Sequence, residues 1–239
     1  MTVDLTQLAS EYFDLQLTPQ QAKHFQQYHQ VLDEWGKTMN LTTITDPDEV
    51  IIRHFLDSLS IVDVIGFDDG DKLIDVGTGA GFPGMALAIA FPNVEVTLLD
   101  SVQKKLKFLR AVIDELQLDN VNILHMRAED AGNHPEHREQ YDIVTARAVA
   151  LLPVLLEYTL PLAKTGGFFV AMKGESAERE VEEAKRALFV LKGEAKPVYQ
   201  YHLPDVDRSH YLVTIKKQAK TPRNYPRQAG IPKKKPIGE

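Results

Sequence analysis

The chain has 239 residues, no cysteine, and 27 basic against 34 acidic side chains, a formal net charge of −7. This length predicts one large domain with at most a small companion. The lack of cysteine excludes disulfides, thiolate metal sites and cysteine nucleophiles. The first residues hold no basic segment or long apolar run, and no stretch of 18 apolar residues occurs, so we expect a soluble, cytoplasmic protein with no membrane partner.

Helical periodicity dominates the first 65 residues. Thr18 followed by Pro19 is typical of a helix start, and an apolar stripe from Phe25 to Trp35 then repeats at helical spacing. A third helix is predicted after the Asp-Pro pair at residue 46. We therefore expect a helical N-terminal extension over residues 1–65.

From residue 72 onward, short apolar runs alternate with amphipathic stretches. Helices are predicted near 84–91, 101–117, 150–163 and 176–191, and strands at 72–76, 94–99, 121–125, 141–145, 167–172, 198–203 and 211–216. This alternation indicates a mostly parallel sheet covered on both faces. No helix separates the last two strands, which predicts an antiparallel edge hairpin. The fold class is thus α/β, with a seven-stranded Rossmann-like domain over residues 66–216.

A glycine-rich loop follows the first strand, in the sequence LIDVGTGAGFPG from Leu73 to Gly84. Gly77, Gly79 and Gly81 allow the backbone to turn sharply and to approach a ligand closely. In an open parallel sheet, ligands bind beyond the carboxyl ends of the strands, where this loop lies. The loop therefore predicts a ligand site.

The residues alone leave the ligand open. Gly79, Gly81 and Gly84 match the dinucleotide pattern G-x-G-x-x-G, and Asp100 follows at the distance of a ribose-binding acid. Asp75 favours S-adenosylmethionine instead, because a carboxylate attracts its sulfonium and ammonium groups. Three functions remain: a methyltransferase, an NAD(P)-dependent oxidoreductase and a non-catalytic RNA-binding protein. No Tyr-x-x-x-Lys pair supports the oxidoreductase.

Two later strand ends carry further candidates. Ala128 and Glu129 follow the third strand, where an adenine could be held by a backbone amide and a side chain. Arg147 follows the fourth strand, at the mouth of the same crevice, where a structural ion pair is an equal possibility. No metal site is predicted, since His134 and His137 lie in a loop-like stretch where solvation is favoured.

The charge is unevenly distributed. Residues 216–239 hold eight basic side chains against one acidic, leaving −14 on residues 1–215. Four prolines and few apolar residues in the basic part predict an extended or partly disordered arm over residues 217–239.

Several motifs together carry a resemblance to a known family. They are WGKTMNLTTIT, RHFLDSL, LIDVGTGAGFPG, LLDSVQKKLKFL, RAED, YDIVTARAVA, FVAMKG and TPRNYPRQAGIPKKKP. The chain resembles the ribosomal RNA small-subunit methyltransferase G family, also called the glucose-inhibited division B family, nearly from end to end. It departs at Gly36, where an asparagine is common, and at Met172, where a leucine is usual.

The resemblance implies a class I methyltransferase fold and S-adenosylmethionine-dependent methylation of a guanosine N7 in the decoding region of small-subunit rRNA. It implies a cofactor site in which Gly77 and Phe82 line the loop, Asp100 and Ser101 face the ribose, and Ala128 and Glu129 hold the adenine. Arg147 would complete the pocket.

N7 is an unprotonated acceptor, so direct in-line transfer needs no general base. Arg147, Lys173 and His54 are the candidates for positioning the substrate.

An RNA partner needs cations, because a −14 body repels phosphate. We expect a monomer that acts on the rRNA or on a 30S subunit. Deleting residues 217–239 is expected to weaken RNA binding and to leave cofactor affinity intact. The predicted contacts in this arm are Arg223, Tyr225, Arg227, Lys233, Lys234 and Lys235.

Overall fold

The computed structural model describes residues 3–238. Its strands are β1 (Lys72–Val76), β2 (Glu95–Asp100), β3 (Val121–His125), β4 (Tyr141–Arg147), β5 (Ala163–Lys173), β6 (Gly193–Ala195), β7 (Tyr199–Tyr201) and β8 (His210–Lys217). They form one sheet in the order β3-β2-β1-β4-β5-β8-β6, with β7 also on β8. The first five strands are parallel, whereas β8 is antiparallel to β5, β6 and β7.

The α-helices are α1 (Leu5–Phe13), α2 (Pro19–Gly36), α3 (Pro47–Val50), α4 (Asp57–Leu59), α5 (Gly84–Ala90), α6 (Gln103–Leu116), α7 (Ala128–Asn133), α8 (Leu152–Thr159), α9 (Ala177–Glu183), α10 (Lys185–Leu191) and α11 (Ile231–Lys234). A π-helical turn joins α3 to α4, and a 3₁₀ turn follows α4. Within residues 3–238, no helix is long and apolar enough to cross a membrane.

The predicted α/β class and the mostly parallel sheet are confirmed, but the strand count of seven is wrong. Three-residue β6 pairs with one end of β8, through Gly193 opposite Lys217, and β7 pairs with the other end, through Tyr199 opposite Leu212. The two short strands therefore share one edge. The predicted helix 176–191 is also divided at Ala184, and α7 is additional.

The N-terminal helices pack on one face of the sheet. Thr18 caps α2 through the Gln21 N–H, and Gln21 returns a bond to the Thr18 N–H, which fixes the start of this helix. Tyr28 of α2 is fully buried, stacks on Phe82 with ring centroids 5.4 Å apart, and donates its hydroxyl hydrogen to the Ala80 carbonyl. The N-terminal extension therefore packs against the glycine loop and holds it through Tyr28.

The C-terminal segment was predicted to be an extended or partly disordered arm, and this prediction is wrong. Thr221, Pro226 and Ile237 are buried against the other face of the sheet. The Arg138 guanidinium donates to the Tyr225 carbonyl at 2.8 Å and to the Thr221 carbonyl at 2.9 Å. Side chains of the body thus satisfy the backbone of the segment, a long-range effect that charge counting cannot reveal.

Gly81 provides a test of the contact between the loop and the extension. A Cβ at Gly81 would stand 2.5 Å from the Tyr28 Oη and 2.9 Å from Leu109, at a backbone φ of +96°. We expect Gly81→Ala to lower the free energy of unfolding by about 2–4 kcal/mol, through overpacking added to backbone strain. Gly166→Ala is the matched control, since its φ is +90° and no heavy atom lies within 4 Å.

Backbone strain alone should cost the control about 1 kcal/mol. Denaturant unfolding measures both variants. Equal losses in the two would show that the Tyr28 contact is unimportant.

Candidate functional site

Two cavities open at the carboxyl edge of the parallel strands. The smaller, of about 320 Å³, lies over β1 and β2, and the larger, of about 680 Å³, lies over β4 and β5. The segment after β4 contributes to both: Arg147 and Ala148 line the larger cavity, and Val149 lines the smaller. The chain passes from the larger cavity to the smaller at Ala148, which has a left-handed φ of +56°. Ligands of open parallel sheets bind at this edge.

The three glycines predicted to approach the ligand have different roles. Gly77 lines the smaller cavity, and a Cβ there would stand 2.7 Å from the Val149 side chain. Gly79 donates its N–H to the Asp100 Oδ2 at 3.0 Å, so it orients a carboxylate of the cavity. Gly81 faces Tyr28 and lines neither cavity, and its predicted cofactor contact stays a prediction.

Asp75 lies beneath the loop. Its carboxylate accepts the Gly84 N–H at 2.9 Å and the Thr145 hydroxyl at 3.3 Å, and it is fully buried. Burial raises the pKa of Asp75 to about 6. Asp75 thus holds the start of α5 and lines neither cavity, and its predicted contact with the cofactor stays a prediction.

Asp100 lines the smaller cavity, next to the exposed Ser101. Its Oδ1 accepts the Val102 N–H at 2.8 Å, while its Oδ2 accepts the Gly79 N–H at 3.0 Å. Asp100 thus holds the backbone just before α6 and also presents a carboxylate to the cavity.

Ala128 and Glu129 line the opposite side of the smaller cavity. The buried Glu129 Oε1 accepts the N–H of Gly230 at 2.8 Å. Lys233 and Lys234 also line this cavity, although the sequence assigned them to RNA alone. No local pattern signals this, because the Glu129–Gly230 contact spans 101 positions.

The larger cavity brings together Arg147, His54 and Lys173, the three predicted positioning residues. Arg147 donates to the Asp57 Oδ2 at 2.8 Å, and its guanidinium lies 5.0 Å from the ring centroid of Phe82. Arg147 does not line the smaller cavity.

Phe82 is buried, with its ring stacked on His54 at 4.6 Å. Phe82 thus packs against the N-terminal extension, and its predicted contact with the cofactor stays a prediction.

Lys173 is held by protein groups. Its Nζ donates to the Glu180 Oε2 and to the Ala150 carbonyl, both at 2.7 Å. Its charge is paired with a buried carboxylate, and its role in positioning the substrate stays a prediction.

Sequence reasoning missed five further residues of the larger cavity. They are Arg53, Asp57, Tyr201, Arg208 and His210. The Tyr201 hydroxyl donates to the Asp57 Oδ1 at 2.6 Å. The Arg53 Nε and the His210 Nδ1 are buried without a hydrogen-bond partner in residues 3–238.

His54 allows a pH test of this cavity. Burial, followed by the charge of Arg147, lowers the pKa of His54 to about 4. The pKa of His54 in the folded state lies below its pKa in the unfolded chain. Its contribution to the free energy of unfolding is therefore complete above about pH 6.5 and is lost as the pH falls toward 4. Between pH 7 and pH 4.5 we expect the native protein to lose about 2 kcal/mol more than His54→Gln does.

Denaturant unfolding at both pH values measures this difference, and Asp75 cancels because both proteins contain it. His202→Gln, at an exposed position, is the control and should retain the native pH dependence. An unchanged pH dependence in His54→Gln would contradict the pKa assignment.

One group of potential metal ligands occurs among the described residues, in the loop after α7. Ligand atoms of His134, Glu136 and His137 lie within 4.8 Å of one another. None of the three lines either cavity.

The basic residues of the C-terminal segment fall into two groups. Arg227 forms a two-point ion pair with the buried Glu157, at 2.6 Å from Nη2 and 2.9 Å from Nε, and its RNA contact stays a prediction. Tyr225 is partly buried beneath that guanidinium. The exposed cations form no ion pair within residues 3–238; they are Arg223, Lys233, Lys234 and Lys235.

Comparison with known proteins agrees with this architecture. A family model described as rRNA small subunit methyltransferase G matches residues 21–210. A protein named ribosomal RNA small subunit methyltransferase G from Acetivibrio thermocellus is 49% identical over 94% of this chain and 92% of its own. One of the same name from Desulforamulus reducens is 45% identical over 99% and 98%.

Solved structures share the fold at low sequence identity. YcgJ from Bacillus subtilis aligns with a TM-score of 0.55 at 12% identity, over 70% of this chain and all of its own. TYW2 from M. jannaschii, solved in complex with AdoMet, aligns with a TM-score of 0.50 at 17% identity, over 62% and 68%. On the strength of the family match and the relatives near 50% identity, the chain belongs to the rRNA small subunit methyltransferase G family.

Proposed function

We propose that this protein transfers a methyl group from S-adenosylmethionine to N7 of a guanosine in the decoding region of small-subunit rRNA. The observation that carries the proposal is the pair of cavities that meet at Ala148: the smaller presents the carboxylates of Asp100 and Glu129, and the larger is lined by three arginines. A methyl donor in the first and a nucleotide in the second would meet at the end of β4.

The smaller cavity suits S-adenosylmethionine. Asp100 presents a carboxylate held by two backbone N–H groups, as binding of two ribose hydroxyls requires. The Glu129 Oε2 makes no hydrogen bond within residues 3–238, so it is available to accept from an adenine amine.

The larger cavity suits the target nucleotide. Its volume is within the range of small-molecule sites, and it is lined by Arg53, Arg147 and Arg208. Guanidinium groups bind phosphate through paired N–H donors. These arginines let the body itself supply cations for RNA despite its net charge.

The reaction needs positioning more than proton transfer. When bound, S-adenosylmethionine supplies an electrophilic methyl group whose transfer leaves the sulfur as a neutral thioether. Guanine N7 carries a free lone pair, so no protein group has to remove a proton. His54, with a pKa near 4, is neutral at pH 7 and packs the ring of Phe82. The task of the chain is to hold the nucleophile in line.

A calorimetric titration with S-adenosylmethionine, NAD and NADP tests the donor. We expect micromolar binding of S-adenosylmethionine alone. The methylated position is then read by mapping 7-methylguanosine in small-subunit rRNA from cells with and without the protein. Binding of a nicotinamide dinucleotide alone, or rRNA that keeps all its methyl groups, would overturn the proposal.

A further inference from the structure

We infer that residues 226–234 of the C-terminal segment are part of the cofactor site, with the Gly230 backbone amide positioning Glu129. This inference rests on the proposed function and extends it to a part of the chain that the sequence assigned only to RNA. It reverses the expectation that removing residues 217–239 leaves cofactor affinity intact. We name residues 226–234 the strap.

The strap closes one side of the smaller cavity. Gly230 donates its N–H to the Glu129 Oε1 at 2.8 Å, and Lys233 and Lys234 of the next helical turn line the cavity wall. Gly230 has a φ of +84°, a left-handed conformation that glycine adopts without strain. The glycine thereby aims its amide at the carboxylate and leaves the Glu129 Oε2 for a ligand.

The strap packs along α7, the helix that begins with Ala128 and Glu129. The Asn133 side chain donates to the Pro226 carbonyl at 3.0 Å. A Cβ on Gly132 would stand 2.8 Å from Pro226, so the proline packs directly on the helix backbone. Three positions of α7 thus contact the strap. The strap therefore fixes the position of the helix that carries the predicted adenine contacts.

Anchors on both sides hold the strap in place. Before Gly230, Arg227 donates to the Glu157 carboxylate through its side chain and through its backbone N–H at 2.7 Å. After Gly230, Pro232 and Ile237 are buried. A two-point guanidinium–carboxylate pair with a buried acid is among the stronger polar contacts in proteins. The strap is therefore a fixed wall.

Losing the Gly230 amide should weaken cofactor binding. Glu129 is buried, and a buried carboxylate without its donor carries the full cost of desolvation. Its side chain would turn toward water and away from the geometry that serves the ligand. Removal of the wall also opens the cavity to solvent, which weakens each polar contact inside it.

Calorimetric titration of S-adenosylmethionine into three variants tests the inference. A chain ending at residue 229 loses the Gly230 amide and both lysines but keeps the Arg227–Glu157 pair. Gly230→Pro removes the N–H donor together with the +84° turn that aims it, because proline cannot adopt a positive φ. Gly230→Ala is its control, because it keeps the N–H and adds a Cβ with no atom within 4 Å, at the cost of backbone strain alone. We expect at least a 10-fold rise in Kd for the first two, and less than 3-fold for Gly230→Ala.

Thermal unfolding without cofactor separates positioning from general destabilisation, since the body of Gly230→Pro should unfold within a few degrees of the native chain. If the shortened chain does not fold, Gly230→Pro decides the question. A native Kd in Gly230→Pro, or in a folded chain of residues 1–229, overturns the inference. A full-length chain that binds no S-adenosylmethionine overturns the proposed function itself, a separate and recognisable result.

Discussion

Gly77→Asp is expected to raise the Kd for S-adenosylmethionine at least 100-fold while the domain stays folded. A Cβ at Gly77 would stand 2.7 Å from the Val149 Cγ2, and both residues line the smaller cavity. Val149 is a partly exposed side chain that can move, so the fold tolerates the change. The carboxylate beyond the Cβ then fills the space between β1 and the segment after β4.

The effect is steric, since an added negative charge would by itself favour a cationic ligand. A 100-fold change corresponds to about 2.7 kcal/mol of binding free energy. Gly70→Asp is the matched control: its φ of +83° is close to the +71° of Gly77, but no atom lies within 4 Å of its Cβ. Calorimetry gives the Kd, and circular dichroism checks folding. Native affinity in Gly77→Asp would show that the loop does not enclose the cofactor.

Much of the fold follows from local pattern. The first five strands are short apolar runs bounded by turns, and the helices between them show a clear apolar stripe, so the parallel sheet could be predicted from residues 72–173. β7 lies within the predicted strand 198–203, but β6 could not be predicted, because three residues hold too little periodicity to be recognised. Their pairing depends on β8, whose two ends are long enough to accept both.

The residues of the candidate site also separate into those that local pattern predicts and those that depend on distant contacts. Gly77, Asp100 and Glu129 each follow a strand directly, and parallel topology brings such positions to one edge, so they could be predicted. Asp75 and Phe82 are in the same motifs but point beneath the loop, where their partners come from β4 and from the N-terminal extension. The direction of a side chain depends on these distant partners.

The charge distribution along the sequence also does not predict which charges pair in the folded chain. The sequence separates a −14 body from a +7 segment, which suggested a free basic arm. In the folded chain part of that contrast is neutralised: Arg227 pairs with Glu157, and the buried Lys217 lies 3.8 Å from a carboxylate oxygen of Glu139. Opposite charges attract the segment to the body and leave a smaller set of cations exposed.

Arg147→Lys is expected to lower kcat/KM for methylation of 30S subunits about 100-fold and to change the Kd for S-adenosylmethionine less than 3-fold. The Arg147 guanidinium contacts Asp57 at 2.8 Å, the Arg53 carbonyl at 3.2 Å and the His54 Nδ1 at 3.3 Å. Lysine keeps the charge but cannot reproduce this planar set of donors. Loss of orientation in the larger cavity then reduces transfer without disturbing the smaller one.

Arg208→Lys is the matched control, because Arg208 lines the same cavity at an exposed position. A change of a few fold is expected there, since a lysine still offers a charge to phosphate. The two constants also separate the two readings of Arg147. A rise in cofactor Kd as large as the loss in kcat/KM would place this residue in the cofactor site, as the family resemblance implies. A loss confined to kcat/KM places it with the nucleotide, as its lining of the larger cavity predicts.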